Sequence, residues 1–596
     1  MGKNKNRHRR LDKNSQPSEN SLSSKGTSLK YRLGVLAVFC LFAFIIYGNS
    51  LNSPFIWDDP YLITDNHLVT SFKYIPEIFK HHLYYSTAGV SNFYRPLQLL
   101  FLMFDYSIWK TNVFGYHLTS IVFHLLCGFL IFLIIDSVFR RRAVAFLVGL
   151  LFLVHPINST VVDYIASRAD SQVTLFVLLS FWLFFKSACQ LKQDKGCRIY
   201  YFGSMIFFVL ALLSKELGVI LPFLILINLG IICKEVIPSK QPEYKKVIPF
   251  FAMLGIYIFL RLTILNFSTH GLGTSLPLYT RLLTTAESFV RLMGSMFIPT
   301  KIHIEKSIPF SSGLFQPSTF ISLIFLIGIG VFMYRTRRRF RMTFFGLTWF
   351  FVALIPMANI VPINATIADH WLYLPCFGFL LAVVGGISDW LKDASAPEVG
   401  FKKIVLGIAV VTVIIFSVLT VRQNTIWADP LKFYRLALEY SPGSYRAHNE
   451  IGVIFLNQDI YDKAIPEFKE SIRINPRFDQ AYDNLGVAYD KSGNLEEAVK
   501  QHKKALELSP YNVKIYNNLG NAYIKLNQFE KAIESYKKAL ELNPDYKAVY
   551  NNLGVIYFKR GMYDEARKYW QRALKIDPNF KLVLDNLKVL ERAQSR

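Results

Sequence analysis

Cysteine is scarce and scattered. The six in 596 residues (Cys40, Cys127, Cys189, Cys197, Cys233 and Cys376) sit mostly in or beside apolar runs, without paired spacing. That excludes a disulfide framework and a cysteine-based zinc site. Charge is also thin, at 18% of residues, and the acidic sign is the rarer one, 42 side chains against 67 basic. A net charge of +25 invites a nucleic-acid reading. The positions oppose it, because MGKNKNRHRR at the start, Arg140-Arg141-Arg142 and RTRRRFR from Arg335 to Arg341 flank hydrophobic runs. Clusters so placed act as topology signals. The tail 1–32 is polar, basic and poor in apolar residues, so it is expected to be disordered and cytoplasmic. It is too long and too polar, and its cleavage site too poor, for an ordinary signal peptide.

What the chain has in excess is hydrophobicity: 52% apolar residues and a mean hydropathy of +0.28. Apolar runs near the ~20 residues that cross a bilayer recur from about Leu33 to Val421. Spans are expected near 33–50, 116–136, 143–160, 171–188, 199–213, 217–233, 247–265, 318–334, 342–360, 371–390 and 402–421, eleven in all. A weaker piece, 286–299, ends at Pro299 and reads as re-entrant. With the basic N-terminus inside, eleven crossings keep Arg140–Arg142, the Lys192–Arg198 and Lys234–Lys246 loops, Arg335–Arg341 and Lys402-Lys403 inside. The loop after the first span and everything beyond Val421 then lie outside. The fold class expected is all-α: a membrane helical bundle over 33–421, followed by a polar α-solenoid over 429–596.

The solenoid announces itself by period. Gly452, Gly486, Gly520 and Gly554 are 34 residues apart, in NEIGVIF, DNLGVAYD, NNLGNAYIK and NNLGVIYFK. Ala464, Ala498, Ala532 and Ala566 follow, then Pro476, Pro510, Pro544 and Pro578. This is the tetratricopeptide pattern: small residues let two helices pack closely and proline ends the second. Full repeats are expected at 445–478, 479–512, 513–546 and 547–580, with a lone helix before them near 429–442 and a capping helix at 581–592. Asn484, Asn518, Asn552 and Asn586 form a second series two residues before each repeat glycine, or its equivalent in the cap; the first repeat breaks it with Glu450. Such a ladder suits gripping an extended acceptor peptide by its backbone, and it resembles the asparagine ladder of the cytosolic O-linked N-acetylglucosamine transferase. Bonding between neighbouring repeats is the alternative. Either way the domain reads as a protein-binding module.

Polar constellations recur at the outer ends of spans. Asp58 and Asp59 in FIWDDPYLITDN are followed by Tyr94-Arg95-Pro96. Further on come His155, Asp163, Arg168 and Asp170 in HPINSTVVDYIASRAD, then Ser214-Lys215-Glu216, and Asp369-His370-Trp371 in ATIADHWLYLP. Random scatter would divide these between the two faces, whereas the charge-derived topology puts them on one. A carboxylate beside an acceptor hydroxyl serves as general base. His155, Arg168, Lys215 and His370 are the candidate holders of a lipid phosphate, with Arg95, Asp163, Asp170, Glu216 and Asp369 in support. Each has a plainer reading: a helix cap or divalent-cation site for the Asp pair, a helix end at His155-Pro156, a solvated turn at Ser214-Lys215-Glu216.

WDD in the first outer loop, HP…ASRAD, LLSKELG, and ADHWLYLP followed by repeats occur in the order found in the transmembrane and tetratricopeptide repeat-containing proteins. The chain resembles that family from about Leu33 onward. These are GT-C-fold protein O-mannosyltransferases that use dolichyl-phosphate mannose. The resemblance implies that Asp58 or Asp59 is the catalytic carboxylate, with Asp59, beside the loop proline, preferred. It also implies inverting transfer from a polyprenyl-phosphate sugar to Ser/Thr hydroxyls, with no cofactor and no bound metal. Two departures stand out. The last motif carries Asp369-His370-Trp371 where the family has acidic-Arg-Tyr, and the array is short, which suits a prokaryotic relative. The expected partners are the lipid-linked donor, an acceptor polypeptide on the repeats and membrane lipid. A transferase acting on glycan or lipid, and a non-catalytic scaffold of an envelope complex, are the rival readings.

Overall fold

In the computed structural model the described residues are 28–87, 91–188, 195–236, 242–267, 276–300, 302–304, 306, 308–360, 366–393 and 399–594. Most of the tail expected to be disordered lies outside them. Among the described residues every extended element is a helix. Seven helices are long and apolar enough to cross a membrane: Leu29–Ser50, Val113–Phe139, Ile165–Ala188, Gly196–Ser214, Pro317–Thr336, Asp369–Lys392 and Gly400–Trp427. Arg142–Val154 bends by 50° into Pro156–Val162, and the pair has the length and composition of an eighth span if the two count as one. The break falls at His155-Pro156, where proline removes a ladder donor and crowds the preceding turn.

The remaining apolar runs form shorter helices. Glu216–Ile231 and Arg341–Met357 are apolar but short of the spanning length. Ile248–Leu262, at 15 residues, rises about 22 Å. The weak 286–299 segment lies within Leu278–Phe297, which buries a polar face including Thr284, Thr285, Glu287 and Ser288. Thr319 Oγ1 (2.5 Å) and Ser318 Oγ (3.0 Å) donate to Glu287, so that face is satisfied inside protein.

Val113–Phe139, Ile165–Ala188 and Asp369–Lys392 are the most buried of the long apolar helices and form the centre of the bundle. The first helix packs one stripe, Val35, Phe39, Ala43, Ile46 and Tyr47, and leaves Leu41 and Ile45 outward. The Arg341–Leu354 and Tyr373–Asp393 helices touch backbone to backbone. A Cβ on Gly346 would stand 2.4 Å from the Gly378 carbonyl oxygen, so only glycine permits the approach.

Beyond the bundle, Val399–Trp427 runs almost without interruption into Pro430–Tyr440, which opens the solenoid. Four helix pairs follow: Tyr445–Asn457 with Tyr461–Ile474, Asp479–Lys491 with Leu495–Leu508, Val513–Lys525 with Phe529–Leu542, and Lys547–Lys559 with Tyr563–Ile576. Lys581–Gln594 closes the stack. In each pair the repeat glycine faces a ring on the second helix: Phe468, His502, Tyr536 or Trp570. A Cβ on Gly520 would lie 2.4 Å from Tyr536.

Candidate active site between the bundle and the repeats

The adjacent aspartates point in opposite directions. Trp57, just before them, has φ +56°, a left-handed backbone rarely adopted by a bulky residue. The four-residue helix Asp59–Leu62 begins immediately after Asp58. Asp59 is 1% exposed. Its Oδ1 accepts from the Ala166 N–H at 2.7 Å and its Oδ2 from the Ile56 N–H at 3.2 Å. Burial pushes its carboxyl up to about 8, against the opposite pull of those two donors. Asp59 therefore ties the loop to the Ile165–Ser167 turn.

Asp58 occupies the cap position without making a capping bond, so the plain capping reading does not describe it. Its side chain is 22% exposed. Oδ2 accepts from Tyr164 at 2.9 Å and from Tyr84 at 3.3 Å, and Oδ1 accepts from Arg446 of the first repeat. Tyr84 and Tyr164 hold their phenol protons well above the ordinary range because they are buried beside this carboxylate.

Across from Asp58 stands a rim of paired charges. Arg95 donates to Glu216 from Nε (3.1 Å) and Nη2 (2.9 Å). Lys215 Nζ meets both oxygens of Asp170 at 2.7 Å. His370 lies within electrostatic range of Lys215, Asp170, Arg95 and Asp58, and its Nδ1 has no hydrogen-bond partner among the described residues. Six residues singled out in the sequence thus converge: Asp58, Arg95, Asp170, Lys215, Glu216 and His370. Lys215 is 6% exposed and paired with Asp170, and the partly exposed Glu216 is paired with Arg95, so the turn is an ion-pair node rather than a freely solvated one.

The other candidates form a supporting layer. Arg168 is fully enclosed, donating from Nε to Ser120 (3.0 Å), from Nη2 to the Tyr116 carbonyl (2.6 Å) and from Nη1 to Asp105. Its donors face inward, away from any incoming phosphate. His155 is also enclosed: Nδ1 accepts from the Ile157 N–H at 3.2 Å, and Nε2 faces the Met296 carbonyl at 3.1 Å. It ends one helix and starts the next, as its plainer reading supposed. Asp369 accepts from the His303 N–H (2.9 Å) and from Lys306. Asp163 is buried beside Ser50 and Tyr47, and burial pushes its carboxyl up to about 8. Arg168, His155 and Asp369 thus hold neighbouring segments together through these bonds.

The asparagine series engages its amide nitrogens between repeats. Asn484 donates to Asn449 (3.0 Å), Asn518 to Asp483 (3.1 and 3.2 Å), Asn552 to Asn517 (3.0 Å) and Asn521 (2.9 Å), and Asn586 to Asn551 (2.8 Å). Each of these amides spends at least one donor on the neighbouring repeat, as the stacking alternative supposes, and Asn484 and Asn586 make one such bond each. Replacing Asn518 and Asn552 together with alanine removes four such bonds and is expected to loosen the array by about 2–4 kcal/mol, at about 0.5–1 kcal/mol per bond. Amide hydrogen exchange across Asp479–Lys559 measures it; unchanged protection would show that these bonds carry no stability.

Residues missed in the sequence are those that surround Asp58. Tyr164 stood within the ASRAD motif region and Tyr84 in HHLYYS, with no spacing to mark either. Arg446 did leave a trace. Six residues before the repeat glycine stand Arg446, Gln480, Lys514 and Ala548, so the first repeat is set apart at the position that meets the loop.

The tetratricopeptide repeat family matches residues 445–478, 489–527, 520–561 and 548–580. Outside the repeats the likeness continues. Protein O-mannosyl-transferase F38B6.6 of Caenorhabditis elegans is 25% identical over 499 residues, 79% of this chain and 67% of that one. Protein O-mannosyl-transferase TMTC3 of Homo sapiens is 23% identical over 473 residues, 72% of this chain and 50% of that one. The chain is similar to protein O-mannosyl-transferases over most of its length. It spans between half and two thirds of those relatives. Among solved structures, a crystal structure of MamA is 24% identical, covering 26% of this chain and 91% of that one, with a TM-score of 0.24.

Proposed function

We propose that this chain is a GT-C membrane glycosyltransferase that moves a sugar, mannose by the likeness of its relatives, from a polyprenyl phosphate to Ser/Thr hydroxyls of proteins. The observation that carries this reading is one partly open carboxylate, Asp58, that shares the electrostatic surroundings of His370 with Lys215 and Arg95. Asp58 takes the hydroxyl proton as the acceptor oxygen bonds to the anomeric carbon. The carbon–oxygen bond to the phosphate breaks on the opposite side, and the polyprenyl phosphate leaves with the electron pair. The anomeric centre inverts in one step. Lys215, Arg95 and His370 face the charge that grows on the departing phosphate. Site and repeats lie on the extracytoplasmic side, with the N-terminus cytoplasmic, and the repeats present the acceptor polypeptide.

The test is transfer by the purified protein from polyprenyl-phosphate mannose to a Ser/Thr peptide. His370→Ala, which breaks neither rim ion pair, is expected to weaken use of the donor about tenfold, the loss of one hydrogen bond to a charged group. Folded wild-type protein that moves no hexose to any peptide, glycan or lipid would leave the scaffold reading in place.

A further inference from the structure

The first outer loop is held by the repeat domain as much as by the bundle. The Trp57 N–H donates to Tyr434 Oη at 3.1 Å, and the indole stacks on the Tyr434 ring at 5.9 Å and 26°. Phe433 meets it edge-on at 6.2 Å. The Arg446 guanidinium lies 4.5 Å over the same indole while it binds Asp58 Oδ1. Tyr61 Oη donates to Gln480 at 2.9 Å, so the equivalent position of the next repeat grips the loop one helical turn later. The unfavourable backbone of Trp57 is thus pinned from the repeat side, at the residue that aims Asp58.

An ionised carboxylate offers about four lone-pair sites. Tyr164, Tyr84 and Arg446 fill three of them around Asp58 and leave one for an incoming hydroxyl. The tyrosines are both on Oδ2, so among the described residues Arg446 alone holds Oδ1. Glu450, one turn further along the Arg446 helix, faces both Arg446 and Asp58. Glu450 is the residue that interrupts the asparagine series, so both departures of the first repeat fall where the array meets the loop.

We propose that Arg446 is a positioning residue supplied by the repeat domain, which orients the Asp58 carboxylate so that sugar transfer requires the first two repeats docked on the loop. This rests on the glycosyltransfer reading with Asp58 as base. The repeat domain is then part of the catalytic unit as well as a handle for the acceptor.

The experiment compares donor and acceptor kinetics of the whole chain with Arg446→Ala, Arg446→Lys, Asp58→Asn and the Asp58→Asn/Arg446→Ala double variant, each checked for wild-type elution and melting. Arg446→Ala is expected to lower kcat about ten- to a hundredfold, the usual effect of a displaced catalytic group, with the donor KM unchanged. Arg446→Lys recovers part of the loss, and the alanine adds nothing once Asp58 is gone. Unchanged kcat in Arg446→Ala, with Asp58→Asn inactive, overturns the inference and leaves the enzyme reading standing. A rise in kcat overturns it too, since Arg446 would then mask the base. A fall matched in the Asp58→Asn background assigns Arg446 to stability alone. Full activity of Asp58→Asn overturns the assignment of Asp58 as base, and the role of Arg446 with it.

Discussion

Asp58→Asn is expected to cut kcat by about a hundred- to ten-thousandfold in protein that remains folded, the range for a lost general base. The amide keeps the shape and can still accept from Tyr164, with its –NH2 turned to Arg446 at a site 22% exposed, so the proton acceptor is removed and a thermal melt checks the fold. Asp59→Asn should behave differently. Asp59 has two backbone donors and almost no exposed surface, and an amide can accept only one of them. Its –NH2 would face the other N–H, at a cost of about 1–3 kcal/mol. A lower melting temperature with near-normal kcat per folded molecule is the expected result. Transfer assays paired with thermal melts separate the two, and the reverse pattern would move the base to Asp59.

Arg168→Met gives the largest expected loss of stability. The guanidinium is enclosed with Asp105, which Thr119 also contacts at 2.9 Å. Removing one partner of a buried pair leaves an uncompensated charge, worth about 3–5 kcal/mol. Little folded protein should be recovered from membranes. The double variant Arg168→Met/Asp105→Leu should restore much of the yield, because the stranded carboxylate is gone too. Yield by fluorescence-detected size exclusion measures both. Good recovery of Arg168→Met with a raised donor KM would instead return Arg168 to the phosphate.

These contrasts show what was legible in the sequence. The repeats were, because a 34-residue period survives any detail of packing. The rim was, because Asp58, Arg95, Asp170, Lys215, Glu216 and His370 each sit in a short polar motif between apolar runs. The direction of each side chain was not. Asp58 and Asp59 are chemically identical neighbours, and the left-handed turn at Trp57 that divides them is held by Tyr434, 377 residues away. Arg168 reads as a phosphate ligand until Asp105 appears beside it from a different helix. The asparagine series has one period under either of its readings, so only the partner atoms decide. Hydropathy marks apolar runs but not how they break into helices: Ile248–Leu262 has 15 residues and buries only Phe250 and Leu254, leaving Ile256, Phe259 and Leu262 exposed.

The Val399–Trp427 helix has 29 residues, about 43 Å, against a hydrocarbon core of about 30 Å. It therefore emerges from the bilayer as a stiff post, and Trp427 packs on Phe433 at 4.9 Å as soon as the solenoid begins. The array rooted on this post is clipped to the loop as well, at Arg446 and Gln480. On the proposed reading, in which the repeats hold the acceptor, the hydroxyl that reaches Asp58 would be set by its distance along the polypeptide from the segment seated on the repeats.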